Sequence, residues 1–141
     1  MTYTDVYAVD MLPALGVFIL FLMLLLVVCY VIDSYGWYSL YKQAGYVDNA
    51  WMAWVPFANY YILGKFIQER NEDPEWFKWV MSFYWLGSFI PIIGGILTAA
   101  GYVFTLVNKL RLMINANCGV LPYIVLFLFP ILLPYTLRKY I

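Results

Sequence analysis

Residues 11–32 read MLPALGVFILFLMLLLVVCYVI, and their reading decides what kind of fold the chain can have. These 22 residues carry no charge, and Asp10 and Asp33 bound them. At ~1.5 Å per residue a helix of this length covers about 33 Å, enough to cross a hydrocarbon core of ~30 Å. A core helix of a soluble protein keeps a polar face, and this run has none. It therefore predicts a transmembrane helix, with lipid as the solvent for much of the chain. Pro13 fits the first turn of such a helix, where a missing N–H is no loss. The flanks disfavour a cleavable signal peptide, since Asp5 and Asp10 precede the run and no Ala-x-Ala-like site follows it.

Composition agrees with a membrane setting. Hydrophobic residues make up 65% of the 141 and charged residues 11%, well below the ~25% usual for soluble domains. The formal net charge is zero, so nothing points to nucleic acid. Histidine is absent, which removes the commonest general base and metal ligand. Cys29 and Cys118 lie far apart, with no metal-site spacing. Aromatics reach 21%, and tyrosine and tryptophan favour the membrane–water boundary.

Working outward, residues 1–10 hold two acids and no Lys or Arg, which places this end outside the cytoplasm by the positive-inside rule. Residues 33–50 read as an interfacial stretch, with Gly45 ending a short helix. Residues 51–66 predict an interfacial or broken helix, kinked at Pro56 with the Met52 carbonyl freed. At helical spacing Asn59 shares a face with Val55, Ile62, Leu63 and Phe66. An amide among apolar groups needs a partner, either across a helix contact or in a binding site. QERNEDPE, residues 68–75, reads as a solvent loop.

Further spans are expected near 76–90, 96–114 and 120–137. Pro91–Gly95 marks a turn or hinge between the first two, and Pro130 and Pro134 bend or break the last. The fold class is thus all-α: one membrane domain over residues 1–141, a polytopic bundle of about four spans, with three to five compatible. With the N-terminus outside, the cytoplasmic side then holds Lys42, Lys65, Arg70, Lys78, Lys109 and Arg111, leaving Arg138 and Lys139 outside. Thr98, Gly101, Thr105, Asn108, Leu112 and Asn115 form a small and polar stripe on an apolar helix. Such a stripe predicts close helix packing, or the wall of a water-filled path; it holds no ionisable group to drive transport.

Residues 42–61, KQAGYVDNAWMAWVPFANYY, carry a resemblance. Lys42, Ala44, Gly45, Trp51 or Trp54, Pro56, Phe57, Asn59 and Tyr61 match a K-x-A-G, spacer, W-x-x-[IVL]-[IV]-P-[FIY]-x-N-x-Y pattern. The chain resembles a family of small multi-pass bacterial inner-membrane proteins with that signature, sometimes fused to signal peptidases. The Trp76–Trp79 cluster, the break at Ile90–Gly94 and the Leu121–Ile124 stretch follow the same order, so the resemblance covers residues 38–136. The chain departs from the family in the longer, acidic spacer Val47–Ala50. It departs again near Asn117–Gly119, where the family has Phe-Gly and a basic residue. The resemblance implies a membrane fold and an address in the bacterial cytoplasmic (inner) membrane, and it supplies no activity.

No hydrolase or transferase constellation is visible; Ser39/Lys42 and Ser82/Lys78 are at chance spacing, and both lysines suit headgroups. The chain is therefore expected to be no enzyme and to need no cofactor or metal. The first expectation is an accessory or scaffolding subunit of a larger membrane complex, because so small a chain has few contacts of its own for Asn59, Asn108 and Asn115. The alternative is a small oligomeric transport or permeation protein lined by the Thr98–Asn115 stripe. A lipid-binding or immunity protein is the weaker third. Partners are then the lipid bilayer and a larger complex or a homo-oligomer. The candidate contact residues are Trp54, Pro56, Asn59, Tyr61, Thr98, Gly101, Thr105, Asn108 and Asn115.

Overall fold

The computed structural model describes residues 3–87, 90 and 93–141, and among these every regular element is helical. The elements are α1 (Tyr3–Gln43), a 3₁₀ segment (Val47–Trp54), α2 (Pro56–Asn71), α3 (Phe77–Gly87) and α4 (Gly94–Asn115). Then come α5 (Val120–Leu128), a 3₁₀ turn (Pro130–Leu132) and α6 (Leu133–Leu137). The chain divides into two compact units, Met1–Ile32 and Asp33–Ile141.

The first unit is the apolar part of α1. The helix starts at Tyr3, so Pro13 lies inside it and not in its first turn. The most apolar window has a mean hydropathy of 3.2 and none of it is buried (0%). Leucines, valines and phenylalanines face outward all round, from Leu15 to Ile32. By length and composition, Pro13–Gln43 is the one helix among the described residues that could cross a membrane. A membrane span and an N-terminal signal sequence both fit such a helix.

In the second unit α1 continues through Asp33 to Gln43, so the expected interfacial stretch is helical for most of its length. No proline interrupts it, and Trp37, Leu40 and Tyr41 bury against the core. Gly45, at φ 96°, ends the helix as expected. Tyr46 N–H reaches the Tyr41 carbonyl and Gly45 N–H the Lys42 carbonyl, the paired bonds of a Schellman cap.

Pro56 does not kink a helix. It occupies the first turn of α2, and the helix starts there because the residue before a proline is driven out of the helical region. Val55 is extended (φ −108°, ψ 117°), and its N–H takes up the Met52 carbonyl at 3.2 Å. α2 then runs on through Gln68–Asn71, half of the expected solvent loop, leaving a short connection from Glu72. Gln68 is buried, which a solvent loop would not allow.

The later segments are more broken than the sequence suggests. α3 has 11 residues, about 16 Å. α4 has 22, but its polar stripe and two basic residues lower its apolarity. Residues 120–137 divide at Phe129, with Pro130 opening the 3₁₀ turn and Pro134 in the first turn of α6. The expected break at Pro91–Gly95 falls partly on Pro91 and Ile92, which lie outside the described residues.

The core draws on each α-helix and on the first 3₁₀ segment: Trp37, Leu40 and Tyr41 of α1, Ala50 and Ala53 of the 3₁₀ segment, Ile62, Phe66 and Ile67 of α2, Met81 of α3, Leu112 and Met113 of α4, Leu126 of α5, and Leu133 and Leu137 of α6. Two glycines set its closest approaches. A Cβ on Gly64 would stand 2.9 Å from the Lys78 Cα and 3.1 Å from the Met81 Cβ, so α2 and α3 touch nearly backbone to backbone. A Cβ on Gly36 would meet the Pro134 Cγ at 2.6 Å.

Candidate functional site

The second unit contains a cavity of about 310 Å³. This is the small end of the ~300–1,000 Å³ range of ligand pockets. The α4 stripe forms one wall, with Thr98, Gly101, Tyr102, Thr105 and Lys109 at successive turns. α2 contributes Asn59, Tyr60 and Leu63, α3 contributes Met81, and the end of α1 contributes Asp33 and Trp37. The helical spacing that makes a stripe in the sequence thus makes a wall in the fold.

Local bonds hold the lining in place. The Tyr41 hydroxyl donates to Asn59 Oδ1 at 3.4 Å, so the amide has a partner within the chain. The Thr105 hydroxyl points to the Met81 sulfur at 3.9 Å. Trp37 engages both charged groups of the cavity. Its indole lies beside the Asp33 carboxylate on the cavity wall, and the Lys109 ammonium lies over its ring, 5.2 Å from the centroid. An acid, a base, an amide, two threonine hydroxyls and aromatic walls therefore converge on one space. That set can orient a polar guest by charge and hydrogen bonding while its apolar parts rest on the rings.

Of the nine candidate residues, Asn59, Thr98, Gly101 and Thr105 meet at this cavity. Asn108 turns away: it is buried, donates to the Phe104 carbonyl at 2.8 Å and accepts from Arg111 at 3.4 Å. Arg111 in turn pairs with Asp73 at 3.3 Å. Asn115 bonds to the Asn71 side chain at 2.7 Å. Tyr61 packs on Trp79, ring centroids 5.1 Å apart, while Trp54 and Pro56 are surface residues of the 3₁₀–α2 junction. All three asparagines thus find partners inside the chain, which removes the premise that they need an outside one.

Asp33, Trp37 and Lys109 were not singled out by the sequence. Asp33 reads there as the boundary of an apolar run and Lys109 as an end-of-span charge. The stripe itself holds no ionisable group, and the fold adds Lys109 beside it on the cavity wall. Lys109 follows Thr105 by four residues, so the helical step that selects Asn108 selects Lys109 equally well.

Other reactive groups are engaged or quiet. The Ser82 hydroxyl donates to the Lys78 main-chain carbonyl at 3.1 Å, not to the lysine amine. Burial pushes the Cys118 thiol above its ordinary pKa. Burial and then the hydrogen bond to the Glu69 carboxylate hold the Tyr46 phenol well above the usual tyrosine range. Lys65 closes that cluster, 3.9 Å from Glu69 and over the Tyr46 ring. Comparison of the chain with protein-family models, with curated proteins and with solved structures returns no match.

Proposed function

We propose that this chain is a non-enzymatic, multi-pass integral membrane protein whose α1–α4 cavity takes up a small polar solute, the binding step of transport or permeation. The observation that carries the reading is the convergence of Asn59, Thr98 and Thr105 with Asp33 and Lys109 on a single cavity. Ionisable groups gathered inside a membrane protein mark solute and ion paths more often than they mark scaffolding. The apolar α1 supports the membrane setting, and the resemblance described above supports the bacterial inner membrane, with the N-terminus outside. The accessory-subunit reading is the second. The exposed aromatics Trp51, Phe57, Trp79 and Phe83 favour it, since they suit a lipid or protein neighbour.

The test is purification in mild detergent followed by reconstitution into liposomes. Flux of small polar solutes that is lost in Thr105→Leu and retained in Ile114→Ala supports the solute reading. Co-elution of a stoichiometric membrane partner, with no flux, supports the accessory reading and overturns the first.

A further inference from the structure

Resting on the reading that the cavity holds a small polar solute, we infer that this solute is a zwitterion, its amine received by Asp33 and its carboxylate or phosphate by Lys109. Both charges line the same cavity, together with the Trp37 indole over which Lys109 lies. The Lys109 ammonium rests over the Trp37 ring face, turned to the indole and not onto the Asp33 carboxylate. The close ion pairs among the described residues are Lys65–Glu69 at 3.9 Å and Arg111–Asp73 at 3.3 Å; Asp33 and Lys109 do not form one. Two opposite charges are thus kept within interaction range but unclosed, beside a space large enough for a guest.

The charge balance selects the guest. A cation would satisfy Asp33 and leave Lys109 facing a like charge, and an anion would do the reverse. In a weakly polar surround such an uncompensated charge is costly. A neutral guest leaves both groups without a bound partner. A zwitterion satisfies both and adds no net charge. Thr98, Thr105 and Asn59 supply hydroxyl and amide groups along the same wall, and Tyr60 and Tyr102 supply aromatic faces for the methylenes between the guest's charged ends. Two sources have this chemistry: a free amino-acid-like solute and the phosphoethanolamine headgroup of a lipid.

The experiment is calorimetric titration of the full chain in detergent with four probes of nearly one size: 4-aminobutanoate, butylamine, butanoate and butanamide. The expected result is that 4-aminobutanoate binds at least about tenfold tighter than each of the others. D33N should bring it down to the level of butanoate, and K109Q to the level of butylamine. Binding of butanamide or of a singly charged probe as tight as the zwitterion overturns the inference but leaves the solute reading standing. Binding of none of the four overturns both. The wild-type series decides the matter even where a variant fails to fold. Repeating the titration in nanodiscs identifies the source. Displacement of the probe by phosphatidylethanolamine, but not by phosphatidylglycerol, assigns the site to a headgroup, and equal binding in both assigns it to a free solute.

Discussion

At Glu72 the backbone is left-handed, with φ 56°. α1 and α4 end on the same geometry, at Gly45 and Asn117, residue types that adopt it at little cost. Glutamate has a Cβ that crowds the adjacent carbonyl there, and the exposed Glu72 side chain contributes little in return. Glu72→Gly is therefore expected to raise stability by about 0.5–1 kcal/mol after the greater freedom of glycine in the unfolded chain is allowed for. A thermal melt in detergent reads this; an unchanged or lower midpoint contradicts it. Cys118 sits two residues beyond Ala116, the C-cap of α4, and its raised pKa means a neutral thiol near pH 7. Its alkylation by iodoacetamide should be slower than that of an unfolded control at pH 7.5 and should rise steeply as pH approaches the raised value. Mass-spectrometric labelling rates check it, and a rate equal to the control at neutral pH refutes it. At this scale the sequence is readable where a residue has only one use. Gly45 marks a helix end in either reading. Glu72 gives no such mark, because glutamate normally belongs inside a helix or in a loop.

Element by element, what was legible was the presence of helices, and what was not was their ends. Apolar runs announce helices through the lack of any strand alternation. Prolines were harder, because one residue can either kink a helix or begin one. Pro56 begins α2 because Val55 is already extended and the 3₁₀ segment before it is self-contained. The α4 stripe was legible as a face, and the fold makes it the wall of the cavity. The acid it meets was not legible, since Asp33 lies 65 positions before Thr98 and only packing brings them to one cavity. Packing of α2 on α3 supplies the sharpest test at this scale. A methyl group at Gly64 collides with the Lys78 backbone, which cannot rotate away as a side chain could. Gly64→Ala should therefore cost about 1–3 kcal/mol, the range of overpacking. Gly95→Ala, with nothing within 4 Å of the new carbon, should be neutral or gain up to ~1 kcal/mol of helix propensity. Equal melting points for the two variants would mean that α2 and α3 are not in backbone contact.

At the scale of the whole molecule, the proposed membrane reading is tested by the number of crossings. α1 alone has the length and apolarity of a single clean span. α5, with 9 residues, is about 13 Å long and falls short of a ~30 Å core. It can contribute to a crossing only as a broken segment, whose freed backbone groups must be covered by protein or must line a cavity. α5, the 3₁₀ turn and α6 follow one another with junctions at Phe129 and at Leu132, and α4 lines such a cavity. Two engineered cysteines, placed singly in a background with Cys29 and Cys118 replaced by serine, separate the possibilities. With the N-terminus outside, position 72 is cytoplasmic whether one span or four are made, because α1 precedes it in both. Position 139 differs: after four spans it lies outside, and after one it stays inside. The four-span bundle therefore predicts that an impermeant maleimide labels K139C on intact cells, while E72C reacts only after permeabilisation. Protection of both sites until permeabilisation would overturn the four-span bundle in favour of an odd number of crossings, of which α1 as a lone tether is the simplest. Labelling of E72C from outside would reverse the orientation and with it the side from which a solute enters the cavity.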